Sequence, residues 1–263
     1  MSSLDRTLDW LSQATITDLA QPMYNGMPGF PNNPPYLFTL ARPHGKGITG
    51  EGTSAAVEVL VTSGHAGTHM DALGHFSFHG RLCCGEVAKE HQSFERGLLT
   101  QGIEQAPIAS RRGVLLDVPL VVGQDPLPRD YAIQARDLEA VTHLEAVEIM
   151  PEDAVLIRTG WGGHWGDPNF PVLVAPGPSG EAAEWLAGKG IRVTGSDTLS
   201  YEVLPNVGWP VHVCLLVKNR IYILEALNLE TLSDRRSYEF IFWAAPMPVV
   251  GGTGSIVRPI ALS

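Results

Sequence analysis

Apolar residues gather in short runs along the chain: Val57 to Val61, Val114 to Val118, Val155 to Ile157, Ile191 to Thr194, Val213 to Val217, Ile221 to Leu224, Phe240 to Trp243 and Ile256 to Ile260. Runs this short, rich in β-branched and aromatic residues, predict strands. Two stretches follow a helical period instead. Leu138, Val141, Leu144 and Val147 recur at helical spacing within 135–147, and 180–189 opens with Glu181 and Glu184 and stops at Gly190. The apolar run ending at Val217, the polar turn Lys218-Asn219-Arg220 and the run from Ile221 together predict a β-hairpin. His212 and Glu225 would face each other at its open end. Strands outnumber helices, and no repeat, low-complexity tract or linker divides the chain, so the expectation is one mixed α/β domain over residues 1–263. Residues 22–35 are rich in proline and glycine and predict a loop whose Tyr24 and Phe30 could line a pocket.

Composition changes this picture only at its edges. The chain has 263 residues, enough for a full hydrophobic core, and 44% are hydrophobic against 17% charged, as in ordinary globular proteins. A net charge of −10 without any Lys/Arg cluster argues against nucleic acid as a partner. No apolar run is long enough for a membrane span, and the first residues lack the basic-then-apolar pattern of a signal peptide. The cysteines are odd in number (Cys83, Cys84 and Cys214), and adjacent Cys83 and Cys84 are poorly placed to bridge each other. Reduced thiols and a cytoplasmic setting are the expectation.

The chemistry concentrates in His65-Ala66-Gly67-Thr68-His69-Met70-Asp71-Ala72-Leu73-Gly74-His75. Imidazole and carboxylate at this density predict a metal site for zinc, manganese or iron. A helix fails as the scaffold. It would put His65 and His69 on one face but Asp71 about 200° around from His69, at about 100° per residue. An extended chain puts residues 65, 69 and 71 on one face, yet His65 and His69 would then lie about 13 Å apart at about 3.3 Å per residue. The chain must bend, and Gly64 or Gly67 can supply the bend. The prediction is a strand ending in a kinked loop that wraps an ion. His79 and His91 read as surface residues, since nothing in their spacing ties them to the cluster. His212 and Glu225 are candidates for a second pair of ligands or an acid/base pair.

The pattern His65-x-Gly67-Thr68-His69-x-Asp71-x-x-x-His75 resembles the signature of the metal-dependent cyclase family hydrolases, which include bacterial kynurenine formamidases and isatin hydrolases. Further segments resemble the family in the same order: Arg158-Thr159-Gly160-Trp161, Pro176-Gly177, Gly195 to Ser200, His212 with Glu225 to Leu229, and Gly251 to Ser255 followed by Arg258-Pro259. The resemblance spans about residues 15–262. It implies a mixed β-sheet with flanking helices, a swivelling β/β/α domain, assembled as a homodimer or homotetramer. It implies Mn2+ or Zn2+ held at His65, His69 and Asp71, catalysis or proton transfer by His75, and His212 and Glu225 at the site, where they hold a second metal in dinuclear members. One departure bears on substrate. Formamidases of the family carry proline where this chain has Leu73, and they lack material such as the loop from Gly162 to Pro171. Both features lean towards the isatin hydrolase side.

The reaction expected is hydrolysis of an amide, lactam or ester in a small, cyclic or aromatic molecule by a metal-activated water. His75 or His212 would move protons, Glu225 would orient a histidine or bind a second metal, and Tyr24, Phe30, Trp161 and Trp165 would pack the ring. An arylformamidase acting on N-formylkynurenine is the alternative substrate reading. Two other classes compete. A non-haem iron oxygenase would use His69, Asp71 and His212 as its facial triad but leaves His65 and His75 without a role. A non-catalytic protein would use the metal structurally, yet structural zinc sites are closed and often thiolate-rich, and here the cysteines lie outside the cluster.

Overall fold

The computed structural model of the protein describes residues 2–45 and 52–263. Its strands are β1 (Ile16–Asp18), β2 (Leu37–Arg42), β3 (Val57–Val61), β4 (His69–Asp71), β5 (Gln92–Ser93), β6 (Gly97–Leu98), β7 (Ala109–Asp117), β8 (Ala132–Ile133), β9 (Ala154–Arg158), β10 (Gly177–Pro178), β11 (Val193–Ser196), β12 (Tyr222–Glu225), β13 (Glu239–Ala244), β14 (Gly254–Ile256) and β15 (Ile260–Leu262). Helices are α1 (Ser3–Gln13), α2 (Pro119–Val122), α3 (Ala135–Glu145), α4 (Gly180–Gly188), α5 (Pro210–His212) and α6 (Glu230–Asp234). Nine strands form one mixed sheet in the order β1-β15-β13-β7-β9-β11-β12-β4-β14. Its centre, β7-β9-β11-β12, is parallel, and the strands on either side pair antiparallel.

The central strands are buried on both faces, which is why they read as continuous apolar runs rather than alternating ones. Val114, Leu116, Val155 and Ile157 face one layer, packed by Leu138 and Val141 of α3 and by Ala182, Ala183 and Leu186 of α4. Leu115, Leu156 and Val193 face the other layer with Met70, Leu224, Phe242 and Leu232. The mixed sheet with flanking helices is the architecture the sequence predicts. Helix α3 starts where Gln134 and Asp137 form a capping box, and α4 starts where the Ser179 hydroxyl accepts from Ala182 N–H.

Three predicted elements differ. Val213–Lys218 is not a strand but a π-helical turn continuing α5, so there is no hairpin with β12. The run from Val211 to Val217 is buried throughout, and a fully buried run shows no period by which strand and helix can be told apart. Pro210 at the first helical position favours the helix. The predicted strand from Ile256 to Ile260 splits into the end of β14 and the start of β15, with Pro259 in the break. The bend at the histidine cluster precedes β4 instead of ending a strand.

Residues 22–35 are free of regular structure, as expected. Among the described residues, no helix is long and apolar enough to cross a membrane. All three cysteines are free thiols.

Candidate metal centre

Strand β4 is the foundation of the site. Its period of two sends His69 and Asp71 to one face and Met70 to the other. His69 is paired in register with Glu225 on β12, and Asp71 with Gly254 on β14. Glu225 is the last residue of β12, so the groups gather at the carboxyl end of the parallel strands, where open α/β sheets place their ligands.

The turn before β4 brings in His65. Gly67 supplies a φ of +60° that other residues rarely adopt. Thr68 fastens the turn: its hydroxyl donates to Ala226 C=O at 2.6 Å and accepts from Gln21 N–H at 2.8 Å. The His65 ring lies over Gly254, where any Cβ would come within 2.6 Å of the imidazole. His65 Nδ1 then lies 2.9 Å from Asp71 Oδ1, and its Nε2 lies 2.9 Å from the Thr253 hydroxyl.

His69 donates from Nδ1 to Gly67 C=O at 2.9 Å, so its Nε2 faces Asp71 at 3.5 Å and Glu225 at 3.3 Å. His212 enters from α5 rather than from a strand, yet it still reaches Glu225: Nε2 lies 3.3 Å from Glu225 and 3.6 Å from Asp71. Behind it, the buried Glu202 carboxylate accepts from His212 Nδ1 and from the backbone N–H groups of Val211 and His212. That contact points His212 Nε2 towards Asp71 and Glu225. Carboxylates commonly orient metal-binding histidines in this way.

Burial opposes charge on His69, His212, Asp71 and Glu225, and their mutual contacts overcome it. Burial lowers the His69 pKa, but the neighbouring Asp71 and Glu225 carboxylates raise it to about 10. His212 is likewise carried well above the ordinary histidine value by Asp71, Glu202 and Glu225. Though buried, Asp71 is held well below the usual carboxylate range and Glu225 is lowered from its ordinary value by the histidines around them. The ion-pair partners of the two carboxylates are all histidines. This is a pocket that needs positive charge, and protons supply it when a metal does not.

The donor set fits a divalent cation. His69 Nε2 and both oxygens of Asp71 are buried without a hydrogen-bond partner, and orphaned buried polar atoms are rare in native proteins. Two triads have ligand atoms within 4.8 Å of one another: His65, His69 and Asp71, and Asp71, His212 and Glu225. They share Asp71, which leaves room for one ion or two.

His75 stands apart from both triads. It ends the short turn Leu73–His75, stacks on His65 at 4.1 Å between ring centroids, and makes no hydrogen bond from its ring among the described residues. Burial, reinforced by His65 and His212, brings its pKa down to about 4 despite Asp71, so it is neutral at pH 7.

A cavity of about 230 Å3 opens above these groups. Phe30, Phe76, Trp209 and Leu199 form its apolar wall, with His65, His75, His212 and Glu225 at its base. Phe30 is therefore where the sequence suggested. Tyr24, Trp161 and Trp165 are not among the lining residues. Trp165 is buried against Phe170, Leu199 and Ala226, its indole donating to Pro22 C=O. Tyr24 donates to Trp165 C=O, and Trp161 donates to Leu127 C=O beneath Arg129. His79 is exposed and His91 half-buried, both outside the cluster.

The sequence missed Glu202, Phe76 and Trp209. Phe76 directly follows the histidine signature, so proximity was a usable signal. Glu202 and Trp209 sit in irregular segments where no period marks them. The Arg158–Trp161 and Gly195–Ser200 segments have a supporting task. Buried Asp197 accepts from Thr159 N–H and hydroxyl and from the N–H groups of Gly160 and Gly162, which ties the Trp161 turn to β11. Burial nonetheless lifts the Asp197 pKa to about 6.

The model of the Cyclase family matches residues 17–203 of this chain. A kynurenine formamidase of Bacillus cereus (strain ATCC 10987 / NRS 248) is 26% identical over 257 residues, covering 97% of this chain and 98% of that protein. Among solved structures, the crystal structure of a novel cyclase superposes with a TM-score of 0.88 at 25% identity, over 100% of this chain and 92% of that one. Isatin hydrolase A from Labrenzia aggregata shares the fold, with a TM-score of 0.75 at 21% identity over 99% of both chains.

Proposed function

This chain belongs to the Cyclase family, and from that premise we propose that it is a metal-dependent hydrolase of non-peptide C–N bonds, acting on a cyclic amide or related acyl bond in a small aromatic molecule. The observation that carries this reading is that His69 Nε2 and both Asp71 oxygens are buried without a hydrogen-bond partner and lie next to His65, His212 and Glu225, which form the base of an aromatic-walled cavity. His65, His69 and Asp71 would hold a divalent cation, manganese or zinc, and Asp71, His212 and Glu225 a second one. Such a cation supplies Lewis acidity that makes water nucleophilic near neutral pH and polarises a carbonyl.

The chain's own residues do the rest. Phe30, Phe76 and Trp209 would stack a planar ring and keep bulk water from the reacting carbonyl. Neutral His75, at the cavity base and with no ring hydrogen bond among the described residues, would take the proton from the attacking water and pass it to the leaving nitrogen. Glu202 would hold the His212 ring in place. Leu73 and the extra loop from Gly162 to Pro171 support an isatin-like lactam. Near-complete coverage by a kynurenine formamidase supports N-formylkynurenine as the alternative.

The test is elemental analysis of the purified protein coupled to hydrolysis assays on isatin, N-formylkynurenine, simple lactones and imides. About one to two equivalents of a transition metal and turnover of a ring amide are expected. In His69→Ala, metal and activity should disappear together. A metal-free His69→Ala variant with full activity would refute the reading.

A further inference from the structure

A second cavity, of about 500 Å3, lies where β11 and β12 begin. Met70 lines it, so it meets the opposite face of β4 from His69 and Asp71. Its rim is set by three guanidinium groups, Arg111, Arg192 and Arg220, with the single carboxylate of Glu152. On a chain with a net charge of −10, this local excess of positive charge is an exception.

The donor inventory shows how little of that charge is used. Arg111 gives Nη1 to Glu152 Oε2 at 2.8 Å, and Arg192 gives Nε to Glu152 Oε1 at 2.6 Å. Both carboxylate oxygens are thereby engaged. Arg111 Nε is buried and has no partner. Arg220 makes no hydrogen bond or ion pair among the described residues, although its side chain is at the cavity. A guanidinium carries five N–H donors in a fixed fork. Three forks with one carboxylate between them leave most donors unanswered and two positive charges uncompensated. Glu152 meanwhile holds two of the forks side by side, which lowers the entropy cost of using them together.

We propose that this cavity binds a small dianionic oxyanion, a phosphate or a dicarboxylate, between Arg111, Arg192 and Arg220. The chemistry is that of guanidinium forks, which match planar or tetrahedral oxyanions through paired charge-assisted hydrogen bonds. The volume suits a small metabolite rather than a macromolecule. Glu152, a lining residue engaged by Arg111 and Arg192, opposes a second anionic group, so a single dianion balances the charge.

Calorimetric titration of the whole protein tests this, with inorganic phosphate and succinate as separate arms and sodium chloride at matched ionic strength as the reference. Saturable one-site binding of at least one dianion, absent for chloride, is expected, and the arm that saturates identifies the source. Arg220→Ala removes a side chain with no hydrogen-bond or ion-pair partner among the described residues and should weaken binding about tenfold, the size of one charged hydrogen-bond pair. Arg192→Ala/Arg220→Ala should abolish saturation, and Arg235→Ala, on another surface, should leave binding unchanged. The proposal falls if neither dianion saturates, or if binding survives undiminished in both arginine variants.

Discussion

Strand β4 is three residues long and buries all of them, whereas helix α1 is eleven residues long and buries none. Both mix apolar and polar residues. In β4, His69, Met70 and Asp71 are enclosed by β12 and β14. In α1, Leu4, Leu8, Trp10 and Leu11 are exposed, and the β2–β3 hairpin likewise exposes Phe38, Leu40, Val59 and Leu60. Neighbouring strands therefore decide what is buried. Polar groups survive enclosure at β4 because each is answered by another polar group or left facing the site. Apolar groups are left uncovered at α1 because no other segment of the described chain packs on them.

The sharpest way to break this contrast is to delete methylenes at both places. Leu156→Ala, at the centre of the sheet and fully buried, should cost about 2–5 kcal/mol in urea unfolding. Leu8→Ala should stay within about 0.5 kcal/mol. A larger cost at Leu8 that grows with protein concentration would place a second copy of the chain against this face.

Glu202→Gln probes the enclosed polar groups. The carboxylate accepts from His212 Nδ1 and three further N–H groups, including the Asn206 amide. A glutamine offers only one oxygen and turns an amide N–H towards those donors. Metal affinity should fall about 10- to 100-fold, read by competition with a chelator. Unchanged affinity would make Glu202 a packing residue alone.

A smaller effect than that at Leu156 lies between the extremes, at half-buried Glu145 on α3. Its Oε1 accepts from Asp117 N–H, and its Oε2 has no partner. Burial raises its pKa from 4.5 to about 8. A carboxyl whose folded pKa is raised contributes stability that is fully present below pH 4.5 and lost as pH rises through about 8. Glu145→Gln keeps the acceptor and does not titrate. It should match the wild type at pH 4 and exceed it at pH 9 by about 1 kcal/mol or less, given partial solvent screening. Parallel urea curves at the two pH values check this, and equal stabilities at pH 9 would contradict it.

Most strands of the sheet were legible because parallel strands buried on both faces must be short and apolar. The π-helical turn from Val213 to Lys218 was not, since the same burial erases the period that separates helix from strand. The site divides similarly. His65, His69, Asp71 and His75 were visible because imidazole and carboxylate groups clustered within eleven residues leave a local spacing. His212 and Glu225 were singled out through a hairpin that does not exist. They nevertheless lie together, because α5 and β12 converge at the same end of the sheet.

By itself, the sequence determined the residue types at the site, the need for a bend that Gly64 or Gly67 could supply, and the mixed α/β class. Only the tertiary structure decided that His212 arrives from a helix, that Glu202 stands behind it, and that Phe76 and Trp209 join Phe30 in the cavity wall while Trp161 and Trp165 do not. The physical reason is range. Backbone dihedrals and side-chain period act over a few residues, whereas register between β4 and β12, and the layers packed around them, join positions far apart in the chain.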